Sequence, residues 1–161
     1  MITTESSIRA AYVADHEHLD ALLKCFRQWK WSNIARAREF FNEFEVGLRQ
    51  HMATEEKVLF PLFEQKSFKS QTRPTEVMRR EHRQIASALE AVNEKICARD
   101  PNSENEEYAL LAALAVHNEY EQNILCATLD RLLSDAEKAE ALAEMEKVPE
   151  AAREVDCAGQ R

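Results

Sequence analysis

The chain has 161 residues, a length that suits one domain able to bury a core without disulfides. Only two glycines and four prolines, set against abundant Ala, Glu, Leu and Arg, argue for a mostly helical protein. A formal net charge of −8 disfavours nucleic acid and anionic membrane as partners, and no apolar run approaches the roughly 20 residues that span a bilayer.

The opening Met-Ile-Thr-Thr-Glu-Ser-Ser has no basic stretch followed by an apolar one, so no secretory leader is expected and a cytoplasmic location follows. A first helix is predicted from about Ser7 to Trp31 and a second from about Asn33 to Gln65. A third begins near Pro74, a residue favoured in a first helical turn, and runs to about Ala98. Asp100-Pro101-Asn102 breaks the chain. A fourth helix opens at Ser103-x-x-Glu106, a capping-box pattern, and continues to Leu133. A shorter fifth starts from a second such pattern, Ser134-x-x-Glu137, and extends towards Lys147. Short links between long helices make antiparallel neighbours. The expected fold is therefore an all-α, up-down-up-down antiparallel four-helix bundle with a short fifth C-terminal helix. Residues 1–147 form the domain in this reading, and residues 148–161 a disordered polar tail.

The chain repeats a pattern at a fixed interval. His16 is followed 35 residues later by His51, and His82 is followed 35 residues later by His117. Each second histidine has a glutamate four positions on, Glu55 and Glu121. Residues i and i+4 share one helix face about a turn apart, so each pair can aim at a common point. Superposing His16 on His82 also sets Leu19 over Ile85 and Leu23 over Leu89. Superposing His51 on His117 sets Leu48 over Leu114 and Val58 over Ile124, a pseudo-repeat of 66 residues.

Apolar seams tell whether these groups point inward. The first helix reads Tyr12, His16, Leu19, Leu23, Phe26; the third Met78, His82, Ile85, Leu89, Val92, Ile96. The second reads Phe41, Phe44, Leu48, His51, Glu55, Val58, Leu62, and the fourth Leu110, Leu114, His117, Glu121, Ile124, Thr128. All six candidates, His16, His51, Glu55, His82, His117 and Glu121, interrupt stripes that face the core. Two ionised glutamates buried there would each cost several kcal/mol unless paired or bound to a cation. No lysine or arginine lies on these seams, so a dinuclear metal centre is expected. His18 is about 200° round the helix from His16 and should face solvent. Glu56, Glu119 and Gln122 are off the seam too and read as solvated groups or as supports to the ligands.

Taken together, Asp15-His16-x-x-Leu19, His51-x-x-x-Glu55-Glu56-x-Val58-Leu59-Phe60-Pro61, Glu81-His82-x-x-Ile85 and His117-x-x-x-Glu121-x-x-Ile124-Leu125 resemble the hemerythrin-like, or HHE cation-binding, family over about residues 8 to 133. The resemblance implies a four-helix bundle around two iron ions joined by an oxo or hydroxo bridge. It also implies that the four histidines bind terminally and that Glu55 and Glu121 bridge. Imidazole and carboxylate suit iron, and mixed sites of this kind accept manganese or zinc as well. A small diatomic ligand or peroxide is then the natural visitor.

The oxygen-carrying members have a fifth histidine in an H-x-x-x-H pair, where this chain has Met78, with Tyr12 as its counterpart in the other half. That departure disfavours reversible oxygen carriage and favours sensing, iron handling or a stress response. Catalase-like or oxidase turnover, or a metal-free helical interaction module, are the alternatives. Tyr12 reads as a core aromatic, as a donor beside the metals, or as a ligand. Pro61 should kink the second helix, and Ala127 at its counterpart should leave the fourth straight. Cys25, Cys97, Cys126 and Cys157 form no C-x-x-C pair and read as reduced thiols. The aromatics Phe26, Trp29, Trp31, Phe40 and Phe63 fit either a homodimer patch or a filled bundle end.

Overall fold

A computed structural model of the chain describes residues 7–67 and 73–150. The opening six residues, Cys157 and most of the expected tail lie outside them. Five helices, and no strand, occur among the described residues. α1 spans Ile8–Trp29. α2 is one continuous rod made of Ile34–Thr54, a π-helical turn at Glu55–Leu59, and Phe60–Lys66. α3 spans Arg73–Cys97. α4 is built like α2, from Glu104–Tyr120, a π-helical turn at Glu121–Cys126, and Ala127–Leu132. α5, Asp135–Glu146, follows at once. α1 packs along α2 and α3 along α4, and α1 also touches the second half of α4. The all-α fold of four long helices and a short fifth expected from the sequence is the one found.

Local chemistry explains most of the boundaries. The Asn33 side chain accepts from the backbone N–H of Arg36 at 3.0 Å and starts α2. Ser134 and Glu137 form the expected capping box of α5. The other expected box does not form. Ser103 makes no cap bond, because its hydroxyl donates to the buried carboxylate of Glu107 at 2.6 Å. Lys30 places its ammonium 2.5 Å from the same carboxylate, so this glutamate is neutralised inside the bundle end. α1 is capped from a distance: Asp130 of α4 accepts from the backbone N–H groups of Ile8 and Arg9 and from the Ser7 hydroxyl. A carboxylate at a helix N-terminus satisfies orphan donors and opposes the dipole favourably.

Two apolar layers fill the interior. One holds Leu19, Leu23, Phe26, Phe41, Phe44, Leu48, Ile85, Leu89, Val92 and Leu110. The other holds Ile8, Tyr12, Leu59, Phe60, Phe63, Met78, Leu125 and Leu129, with Ala141 of α5 against it. The seams of α1 and α3 are buried as expected throughout. Those of α2 and α4 hold only as far as Glu55 and Glu121. Beyond them the buried residues are Leu59 and Phe63 rather than Val58 and Leu62, and Leu125 and Leu129 rather than Ile124 and Thr128; Ile124 is 45% exposed. Each π turn inserts one residue, which rotates the rest of the helix by about 100° and moves the inward stripe on by one position.

This also corrects the expectation about Pro61. The widening occurs in both halves, although α4 has Ala127 where α2 has the proline, so proline is not its cause. Pro61 sits in the first turn after the π segment, where a missing N–H costs least. Cys25 and Cys126 are free thiols, but Cys97 is disulfide-bonded, against expectation. Pairing needs two Cα atoms within about 7 Å, a distance that spacing along the chain cannot show. Phe26 and Phe63 are core residues, whereas Trp29 and Trp31 are exposed. No helix of the structure is long and apolar enough to cross a membrane.

Candidate metal centre

Between the two apolar layers lies a polar one. His16, His51, Glu55, His82, His117 and Glu121 are all buried, from 0 to 6% exposed, and the structure brings all six together. The side chains form two triads, His16, His51 and Glu121, and Glu55, His82 and His117. In the first, His16 Nε2 is 3.2 Å from His51 Nε2 and 3.0 Å from Glu121 Oε2, and His51 Nε2 is 3.3 Å from the same oxygen. In the second, His82 Nε2 is 3.3 Å from His117 Nε2 and 3.0 Å from Glu55 Oε2, which is 3.5 Å from His117 Nε2. Glu55 also lies 3.7 Å from His51 Nε2 and so links the triads. His18, the control, is exposed.

The carboxylates cross over. Glu121 of α4 serves the histidines of α1 and α2, and Glu55 of α2 serves those of α3 and α4. The π turns begin at these two glutamates, so the widened backbone and the inward carboxylate occur at one residue in each half. Sequence reasoning missed the turns, yet a signal was there. His51, Glu55, Leu59 and Phe63 recur every four residues, as do His117, Glu121, Leu125 and Leu129, a step longer than the 3.6 of an α-helix.

The outer nitrogen of each ring is held from the other side. Asp15 is 2.6 Å from His51 Nδ1, Glu56 is 2.7 Å from His82 Nδ1, and Glu81 is 3.1 Å from His117 Nδ1. The Gln122 carboxamide is 2.5 Å from His16 Nδ1. Glu56 and Gln122 thus hold two of the candidate histidines, while Glu119 is exposed. Asp15 and Glu81, each preceding a candidate histidine, were not singled out beforehand. An imidazole that donates Nδ1–H to a carboxylate presents a bare Nε2 lone pair inward. Where the Nδ1 partner is a carboxylate, as for His51, His82 and His117, the inward groups are acceptors alone, a grouping that repels itself unless protons or a cation sit among them. Burial disfavours charge on His51, yet Glu121 and the bond to Asp15 outweigh it and raise its pKa well above the ordinary histidine value. Burial opposes His117 in the same way, and Glu55 raises it nonetheless. Burial also penalises the Glu55 carboxylate, but His117 and His82 hold its pKa far below the usual range.

The residues fit a metal on three observations. Glu55 Oε1 is buried and has no hydrogen-bond partner among the described residues. Donor atoms 3.0–3.3 Å apart match two ligands about 2.1 Å from one ion at near right angles. The buried glutamates elsewhere, Glu45 and Glu107, have Arg49 and Lys30 beside them, whereas the partners of Glu55 and Glu121 are histidines. Met78, in place of a fifth histidine, is fully buried in the layer that holds Tyr12. Tyr12 packs its ring 4.8 Å from that of His51, and its hydroxyl has no partner. Burial, then Glu55 and Glu121, lift its pKa well above that of an ordinary phenol.

Removing an outer support should weaken metal binding while leaving the ligands in place. Glu56→Ala is expected to lower affinity about 10- to 100-fold in chelator competition, with Glu119→Ala unchanged as the exposed control. Equal affinities would show that the Nδ1 partner of His82 does not orient a ligand.

The family model described as hemerythrin HHE cation binding domain matches residues 7–129. No match was found among curated proteins or solved structures.

Proposed function

The chain belongs to the hemerythrin HHE cation-binding domain family, and from that premise we propose that it holds two iron ions in the polar layer and uses them to bind or react with oxygen, nitric oxide or peroxide. The observation that carries this reading is the pair of buried triads, each of two imidazoles and a carboxylate, with a partner on the Nδ1 of all four rings. Iron in such a nitrogen and oxygen setting supplies open coordination positions and a change of oxidation state. The chain supplies the rest. His16, His51 and Glu121 would hold one ion and Glu55, His82 and His117 the other, with Glu55 near enough to both to bridge. Asp15, Glu56, Glu81 and Gln122 fix the ring orientations. The two apolar layers exclude water above and below, which favours small uncharged ligands over hydrated ions.

Sensing, iron handling or a stress response remain the roles this chemistry suits, rather than reversible carriage, because buried Met78 stands where the carriers have a ligating histidine. Protein expressed with ample iron should contain about two ions per chain and show ultraviolet and near-visible charge-transfer bands. The reduced form should titrate with nitric oxide. Protein that folds but retains no metal would overturn the reading and favour a metal-free helical module.

A further inference from the structure

A cleft of about 510 Å³ lies between α1, α2 and α5. Tyr12, Asp15 and His51 line it on the side of the bundle, and Leu142, Met145 and Glu146 on the side of α5. Of the six candidate metal residues, His51 lines it. The neighbouring cleft, lined by Lys57, Pro61, Lys66 and Glu137 among others, touches none of the six. Gln50 donates to the backbone carbonyl of Val148 at 2.9 Å, and Lys66 pairs with Glu137 at 2.5 Å, so α5 is fastened in its first turn and just beyond its C-terminal end.

We propose that this cleft is the access route and holding site for a small uncharged ligand, and that Tyr12 receives the ligand with its phenolic hydroxyl. The ring of Tyr12 lines the cleft and lies 4.8 Å from the His51 ring and 6.3 Å from that of His16. Its hydroxyl is buried and has no partner among the described residues, an expensive state that a ligand accepting its hydrogen bond relieves. Leu142 and Met145 give the cleft an apolar outer wall, and Asp15 and Glu146 repel anions. Those features favour an uncharged molecule over an anion, a description that dioxygen, nitric oxide and hydrogen peroxide meet. Asp15 has two tasks here, because the carboxylate that lines the cleft also holds His51 Nδ1. This inference rests on the proposed metal centre for its purpose, but the cleft can be tested without metal.

Dissolved xenon added to the metal-free protein should shift the methyl signals of Leu142 and Met145, and Leu142→Trp should abolish the shift. Xenon that leaves both signals unmoved overturns the cleft as a holding site, whatever the metal content. In iron-loaded, reduced protein, Leu142→Trp should slow nitric oxide association at least about tenfold with metal content unchanged; Met145→Phe is the second variant should the first not fold. Tyr12→Phe keeps the wall and removes the donor. It should leave association within about twofold and speed dissociation about tenfold, the value of one hydrogen bond. Rates equal to the parent in these variants overturn the route and the donor, respectively. Loss of metal from the parent protein overturns instead the function on which the proposal draws.

Discussion

Glu55→Ala should leave iron-loaded protein with about one ion per chain, bound more weakly than the one that Glu121→Ala retains. The difference comes from reach. Glu55 Oε2 lies 3.0 Å from His82, 3.5 Å from His117 and 3.7 Å from His51, so it serves the second triad and borders the first. The histidine contacts of Glu121 are to His16 and His51, both in one triad. Truncating Glu55 thus removes the only carboxylate from two converging imidazoles and the link between the triads. Truncating Glu121 leaves Glu55, His82 and His117 intact. Metal analysis and chelator competition on the two purified variants, with helix content checked by circular dichroism, decide the matter. Near-parental metal in both would mean that the buried carboxylates hold protons, not ions.

Phe41→Ala tests the opposite end of the bundle. Phe41 is fully buried, with ring centroids 5.0 Å from Phe26 and 5.6 Å from Phe44. Deleting such a side chain removes its transfer energy and leaves a cavity, about 3–5 kcal/mol together. For a chain of this length that lowers Tm by about 6–20 °C. Metal stoichiometry should be unchanged, because this layer contains none of the six candidate ligands. Metal at one hundred times its dissociation constant should return about 2.7 kcal/mol per bound ion to parent and variant alike. Thermal denaturation with and without metal measures both effects. A folded Phe41→Ala protein that has lost its metal would show that the apolar layer sets the ligand geometry.

Much of this protein is legible from local pattern. Helix positions, the inward course of the α1 and α3 seams and the six candidate residues follow from a period of 3.6 and an interval of 66 residues. Seams misled at one kind of place, after Glu55 and after Glu121. There an inserted residue turned Ile124 out to 45% exposure, left Val58 at the edge of the core and brought Leu59 and Leu125 into it. The four-residue spacing recorded that shift, but an α-helical template absorbs a single long step without complaint. Pro61 drew attention to the right region for the wrong reason, since the half that lacks a proline widens as well.

Partnerships across the bundle were not legible. Nothing in the sequence says that Asp15 holds His51 rather than its own neighbour His16, or that Glu121 serves the histidines of the first half. Nor does it say that Asp130 caps α1 from 120 residues away or that Lys30 neutralises Glu107.

By itself the sequence determined which faces are apolar and which imidazole and carboxylate groups interrupt them, because both follow from the rotation per residue along one helix. Tertiary structure alone decided which groups meet, in what pairs and beside which cleft. Those outcomes depend on how far each rod is turned and slid against its neighbours, and that is set by all the packed side chains at once.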